Sequence, residues 1–208
     1  MAEQFEKTMY GFWKQQNPKP FSYSEQYRNS QSTNDAMSWF RIGWLSAALP
    51  YTKLREFRVV DVGAGNLRFT EIGKRVFRDC APYDVEGEQS ISTDELYQTN
   101  WDIACLFDVL EHFQDINDLF RIPATYYYLS FPETPDDDTL DMIGGLANWK
   151  HYKPNEHIWC LNRTGICEWL EDKGYAVLQA EYPEDVIRTR WCPDVPNIAS
   201  VLARKQEV

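Results

Sequence analysis

The sequence predicts an α/β sandwich organised around a mainly parallel sheet. Two observations carry the prediction. Short apolar runs with strand character alternate with segments of helical period through the middle of the chain. The first such run, Phe57-Arg58-Val59-Val60-Asp61-Val62, breaks into a glycine turn, Gly63-Ala64-Gly65, that opens directly into a helical segment. A length of 208 residues fits one domain with a small appendage and suffices to bury a core without cross-links.

Taken in order, residues 1–33 are polar and aromatic without clear period and carry Pro18 and Pro20. They read as an arm or lid, and by analogy with similar folds alone Tyr23, Tyr27 and the nearby Met37 are candidates to close over a ligand. Ser32-Thr33-Asn34-Asp35 then offers helix caps, Met37, Phe40, Trp44, Leu45 and Ala48 follow at helical spacing, and Pro50 ends the run. Residues 57–62 form a short buried strand, and 67–78 a helix whose core positions are Leu67, Ile72, Val76 and Phe77. A second strand is expected over Cys80–Val85 and a weaker third near Ile91. Asp102-Ile103-Ala104-Cys105-Leu106-Phe107 is a clear buried strand, followed by a helix over 114–121 and a strand over Tyr126–Phe131. The last unit is a helix from Asn162 stopped by Gly174, a strand over Tyr175–Glu181 and a final strand over Ile198–Ala203.

Composition narrows the function. Apolar residues make up 43%, which excludes a disordered chain. Many of the 8 Trp and 12 Tyr must sit in the core, and so many also suit a pocket for a ring-shaped or cationic ligand. A net charge of -11 repels phosphate backbones and argues against nucleic acid as a partner. The five cysteines, Cys80, Cys105, Cys160, Cys167 and Cys192, are odd in number with no C-x-x-C spacing, so they read as reduced thiols. The first residues lack an apolar signal core, and no apolar run approaches the roughly 20 residues that cross a bilayer. A cytoplasmic protein without membrane attachment is expected.

The glycine turn is the strongest local signal. Gly63 and Gly65 let the backbone approach a ligand, and the helix behind them is expected to present free N–H groups. The dinucleotide pattern G-x-G-x-x-G fails, because Arg68 stands at the third glycine position. Asp61, two residues before the first glycine, would repel a pyrophosphate and instead suits a cationic amino-acid moiety.

Val59-Val60-Asp61-Val62-Gly63-Ala64-Gly65 resembles the first motif of the class I S-adenosylmethionine-dependent methyltransferases. That family continues with a third glycine where this chain has Leu67. Asp102 through Asp108-Val109-Leu110-Glu111-His112 resembles the family's fourth-strand motif, Leu129-Ser130-Phe131-Pro132 the end of its fifth strand, and Glu156-His157-Ile158-Trp159 with the helix to Gly174 its late segment. The resemblance covers residues 57–204 and implies a three-layer sandwich on a seven-stranded, mostly parallel sheet, with an amino-terminal arm and lid helix (1–56) before a catalytic domain (57–208). It implies S-adenosylmethionine as cofactor. Asp61, Gly63, Ala64 and Gly65 would hold its methionine part, and Asp84, or else Glu86, the ribose hydroxyls. Phe107 and Asp108 would lie beside the adenine or the sulfonium. Only 18 residues separate Asp84 from Asp102, short for the helix and strand that the family places there, so either Asp94 would serve the adenine side or the helix is shortened to a loop.

Methyl transfer needs alignment, exclusion of water and, for hydroxyl or amine acceptors, loss of a proton. His112, His151 and His157 are the candidate bases. Each has a plainer reading: His112 as a cap or packing group, His151 and His157 as loop histidines that fix their neighbours. Their wide spacing does not predict a metal site. Asp136, Asp137, Asp138 and Asp141 read as a solvated loop sooner than as a site for a hard cation. Trp149, Tyr152 and Trp159 either stack on an acceptor or close a small satellite core. The acceptor expected is a small molecule, a sugar or another metabolite, with O-methylation first and N-methylation second. Two alternatives stand beside this: an NAD-dependent sugar-modifying enzyme on a similar fold, and a cofactor-binding scaffold without activity.

Overall fold

The computed structural model describes residues 5–18, 35–188 and 197–206. Its centre is a six-stranded sheet. The strands are β3 (Arg58–Val62), β4 (Asp79–Tyr83), β5 (Trp101–Phe107), β6 (Ala124–Pro132), β8 (Tyr175–Glu181) and β9 (Ile198–Lys205). Their spatial order is β4-β3-β5-β6-β9-β8. The pairs β3–β4, β3–β5 and β5–β6 are parallel, and β9 runs antiparallel to both of its neighbours.

Successive residues of the central strands feed opposite cores, the signature of a sheet covered on both faces. Val60, Ala104, Leu106, Tyr127 and Leu129 point into one cluster, whereas Val59, Ile103, Cys105 and Tyr128 point into the other. The second cluster is closed by α1 (Asp35–Ala48), α2 (Tyr51–Leu54) and α3 (Arg68–Gly73), through Ile42, Leu45, Leu54, Phe69 and Ile72. The first is closed by α4 (Thr93–Gln98), the 3-10 turn Ile116–Arg121 and α6 (Arg163–Asp172), through Leu96, Leu119, Ile166, Trp169 and Leu170. Three layers result, as the sequence predicts.

The sheet has six strands where seven are expected. The strand foreseen near Ile91 does not form. The segment between β4 and β5 is spent on a loop and on α4, capped by the Ser92 hydroxyl accepting from the Glu95 N–H at 3.1 Å. Ile91 makes one backbone bond to the β4 carbonyl of Pro82, at 2.9 Å, without extending it into a ladder. The span is too short for crossover helix and strand together. Helix expectations also contract: 67–78 holds regular helix only over Arg68–Gly73, and 114–121 is a 3-10 turn over Ile116–Arg121.

A small second sheet lies outside the sequence expectations. The strands β1 (Phe5–Lys7) and β2 (Trp13–Gln15) form a hairpin, and β2 pairs antiparallel with β7 (Trp159–Cys160). Gly165 of α6 sits so close to this hairpin that an added Cβ would come within 2.1 Å of the Tyr10 carbonyl oxygen. Residue 56 is therefore not a break in packing. The hairpin joins the 159–160 segment, and α1, expected as a lid helix, is a core helix with Met37, Ile42 and Leu45 buried. Tyr23 and Tyr27 lie outside the described residues.

The acidic run resolves into helix α5 (Asp137–Met142), whose cap Asp136 accepts from the Thr139 N–H at 2.8 Å, while Asp137 pairs with Lys7. Trp149 and Trp159 are buried, Trp159 within the main core on one face of the central sheet, and Tyr152 packs on Phe5. Cys80, Cys105, Cys160 and Cys167 are free thiols, and Cys192 lies outside the described residues.

Candidate active site

A cavity of about 690 Å³ opens along the carboxyl ends of β4, β3, β5 and β6. That is the edge at which sheets of this kind bind ligands, and the volume falls within the usual range for small-molecule sites. Asp61, Gly63, Ala64, Asp84, Phe107, Asp108, His112, His151 and His157 all line it. Gly65, predicted with them, does not.

The turn after β3 is tightly built. Gly63 has φ +72°, and a Cβ there would lie 2.3 Å from Val109 Cγ2, so a side chain is excluded by both conformation and space. Leu67 stands where a glycine is expected and takes the left-handed conformation, φ 63°, that a glycine would adopt without strain. The loop path is thus kept without the residue that makes it easy.

Five of the amides at this turn are already paired. Gly63 and Ala64 donate to the Tyr83 carbonyl, Gly65 to Asp84 Oδ2, Leu67 to the Ala64 carbonyl and Arg68 to Asn66 Oδ1. Already paired, these amides offer a pyrophosphate less than free ones would, which counts against a dinucleotide. Asp61 is buried and accepts from the Thr70 hydroxyl at 2.7 Å. Burial pushes its carboxyl up to about 6, against the lowering effect of Thr70 and Arg41. A cationic group brought to it would relieve that burial penalty.

Asp84 follows β4, so it lies on the outer side of the glycine turn. Leu96 and Tyr97 of α4, with Tyr83 and Val85, make an apolar wall on this side. The shortened 85–100 segment therefore contributes a wall to the cavity, while Asp94 is exposed and takes no part.

At the end of β5, Phe107 packs edge-on against Phe69 and Tyr128 and carries the Arg41 guanidinium 4.0 Å above its ring. Asp108 takes φ 57° and binds Arg188 at 2.6 Å. Burial alone would raise its carboxyl, but Arg188 and Arg41 outweigh this and hold it below the usual range. Arg41 and Glu184 form a buried ion pair at 2.7 Å, and Glu184 also takes the Ser130 hydroxyl. Arg188 Nε lies 2.7 Å from Glu184, in ionic contact but without the alignment of a hydrogen bond. Arg41 comes from α1, far in sequence from Glu184 and Arg188, which stand four residues apart, and no short motif marks the three.

The turn Leu110–His112 then meets the 153–158 segment. Ile158 N–H donates to the Glu111 carbonyl at 2.9 Å, His112 Nδ1 lies 2.9 Å from the Glu156 carbonyl, and the rings of His112 and His157 stand edge to face at 4.9 Å. Burial lowers the basicity of both imidazoles, that of His157 down to about 2. Burial and then the Asp108 charge raise the Glu111 carboxyl well above its usual range. His151 stands apart, with Nε2 2.6 Å from Asn197 Oδ1, and burial lowers it too. All three histidines are neutral near pH 7. His157, at about 2, is too weak a base to match the role foreseen for it.

Residues 30–180 match the family described as methyltransferase domain. The chain belongs to that family. It is an S-adenosylmethionine-dependent methyltransferase. Solved structures of similar fold include the magnesium protoporphyrin IX methyltransferase of Synechocystis PCC 6803 with bound S-adenosylhomocysteine, at 16% identity and a TM-score of 0.56, covering 90% of each chain. A SAM-dependent methyltransferase of Archaeoglobus fulgidus matches at 15% identity and a TM-score of 0.55, over 88% of this chain and all of that one. One from Aquifex aeolicus matches at 12% and 0.56, over 88% of this chain and 98% of that one. No curated protein shows significant sequence similarity to the chain.

The methyltransferase's own geometry fits its cofactor. The side-chain-free cradle at Gly63, the buried Asp61 carboxylate and the second carboxylate at Asp84 line one cavity in the order of the strands that carry them. Among the described residues no helix is long and apolar enough to cross a membrane.

Proposed function

We propose that the methyltransferase transfers the methyl group of S-adenosylmethionine to a hydroxyl oxygen of a small-molecule acceptor, a sugar or another metabolite. The observation that carries this is the order of groups along one sheet edge. Asp84 lies over β4 and Asp61 with Gly63 over β3, while Asp108, Glu111 and His112 follow β5, and His151 reaches Asn197 at the start of β9. The cofactor's ribose and methionine parts occupy the β4–β3 side. The acceptor then lies over β5 and β6, among polar side chains able to orient a hydroxyl.

Asp84 would exchange its bond to the Gly65 N–H for the ribose hydroxyls, and Asp61 would face the cofactor's ammonium group. Phe107 and Val109 close the β5 side, where a dry contact keeps water from the methyl carbon. His112 lines the acceptor side of the cavity, and its Nδ1 faces a carbonyl, which leaves the lone pair on Nε2. The test is incubation with methyl-labelled S-adenosylmethionine and paired panels of hydroxylated and amine-bearing metabolites, with the new methyl linkage read by NMR. Methyl on oxygen is expected. Methyl only on nitrogen overturns the acceptor assignment. Tight binding of S-adenosylhomocysteine with no transfer to either panel or to a metabolite extract would mark an inactive scaffold.

A further inference from the structure

We propose that Glu111, His112 and His157 hold a first-row divalent cation, with Zn2+ the reference ion, whose open position faces the acceptor hydroxyl. The inference rests on the reading that the β5 end of the cavity receives the acceptor.

One ligand atom from each of the three side chains lies within 4.8 Å of the other two, and all three residues line the cavity. On a tetrahedral ion, ligand atoms at about 2.1 Å from the metal sit about 3.4 Å apart. Rotation of the side chains by that difference completes the set. Two histidines and one carboxylate with a free position is a donor set suited to Zn2+ and its first-row neighbours sooner than to Mg2+.

Three independent details point the same way. Both carboxylate oxygens of Glu111 are buried without a hydrogen-bond partner among the described residues, on a side chain 2% exposed. His157 Nδ1 is likewise buried and unpartnered, on a residue 5% exposed. Folded proteins rarely leave such atoms empty-handed, and a carboxylate with neither oxygen satisfied is the most costly form. The third detail is the His112 ring. A carbonyl only accepts, so Glu156 fixes the proton on Nδ1 and leaves Nε2 with its lone pair. Metal-ligating histidines are held in this way, with the second nitrogen donating to a carbonyl or carboxylate. The Asp108 carboxylate, with Oδ1 also unpartnered, adds negative potential beside the cluster.

The fold clamps the two halves of the site together. Glu111 and His112 follow β5, and His157 precedes β7, which β2 of the amino-terminal hairpin holds in register. Gln15 donates from its backbone to Ile158 and from its side chain to Pro154, on either side of His157. Such a rigid frame is what a three-ligand site needs.

In the transfer, the acceptor hydroxyl oxygen would take the open position and release its proton to solvent. The oxygen lone pair forms the bond to the methyl carbon as the S–C pair returns to sulfur, leaving S-adenosylhomocysteine. The cation's part is to make that proton leave near neutral pH.

The test uses the intact protein, freed of metal by a chelator, without acceptor. Calorimetric titration with Zn2+, Mn2+ and Mg2+ is run beside titration with S-adenosylhomocysteine. One Zn2+ per chain, bound at micromolar Kd or tighter, is expected, with Mg2+ at least a hundredfold weaker. Glu111→Gln and His157→Ala should each weaken Zn2+ at least tenfold and leave S-adenosylhomocysteine within threefold. Substituted Co2+ should give the intense visible bands of a four-coordinate ion, lost in both variants. Metal-free Glu111→Gln should melt no lower than the metal-free parent, which shows that it folds. Absent or superstoichiometric Zn2+ binding, equal binding by parent and variants, or preference for Mg2+ would overturn the site. S-adenosylhomocysteine binding without Zn2+ binding overturns only this inference. Failure of S-adenosylhomocysteine to bind overturns the functional reading beneath it.

Discussion

Replacing Glu184 with leucine removes one of two carboxylates from a buried cluster that also holds two guanidinium groups. In the native protein the charges of Arg41, Arg188, Glu184 and Asp108 cancel. Arg41 donates to Glu184 at 2.7 and 3.2 Å, and Ser130 donates to the same carboxylate at 3.0 Å. The side chains of Arg41 and Glu184 are 1% and 0% exposed, so water cannot replace the lost acceptor. Removing one member of a buried pair costs about 3–5 kcal/mol. In a domain of this size each kcal/mol moves Tm by about 2–4 °C, so a fall of roughly 6–20 °C is expected. Scanning calorimetry of the cofactor-free protein at neutral pH reads it directly. The double variant Arg41→Met, Glu184→Leu should regain most of the loss, because the Arg188–Asp108 pair is left balanced. A single variant within about 1 kcal/mol of the parent, as for a surface pair, would refute the reasoning. So would a double variant whose loss is the sum of the two singles.

Other consequences can be checked separately. The Asp61 carboxyl sits at about 6, above its unfolded value of about 3.9, so its contribution to stability is greatest below about pH 4 and is lost as pH rises through about 6. A cofactor ammonium favours the ionised form, so S-adenosylhomocysteine should bind more tightly as pH rises over that window, by at most about tenfold per unit, and Asp61→Asn should flatten the profile in calorimetric titrations. Leu67→Gly removes a left-handed strain of about 1–2 kcal/mol against a similar loss of packing and chain entropy, so urea unfolding should place it within about 1 kcal/mol of the parent, whereas Leu67→Val should be clearly destabilised. Gly165→Ala pushes a methyl against the Tyr10 carbonyl and should cost about 1–3 kcal/mol, with faster hydrogen exchange at Trp13 and Gln15 than in the parent.

The parts of the fold legible in the sequence are those fixed by near neighbours. The run Val59–Val62 and its glycine turn, the apolar β5 and the Asn162-capped α6 follow from residues within a few positions of one another. The strand near Ile91 fails for want of chain length, a constraint that no local pattern expresses. Strands of three residues, such as β1 and β2, are too short to show a period of two. The Arg41–Glu184 pair joins residues 143 positions apart. Glu111 stands inside a motif quoted for its position beside His112, yet its oxygens take on meaning only when the segment holding His157 closes against it. The wide spacing of the three histidines along the chain says nothing of which of them the fold brings together.

The hairpin at Phe5–Gln15 sets an order on the making of the protein. On the ribosome it emerges before any strand of the central sheet, but its partner strand at Trp159–Cys160 follows only after four of the six central strands, β3 to β6, have been synthesised. Until then the outer edge of β2 has no neighbour, and a two-stranded hairpin of this length is marginal by itself in water. The pocket therefore gains the 153–158 part of its wall only when the two distant parts of the chain meet. A chain released before that point would carry the glycine turn and β5 yet lack the segment that brings His157 to Glu111, so premature termination yields a species with half a pocket and an open strand edge, the form most exposed to aggregation.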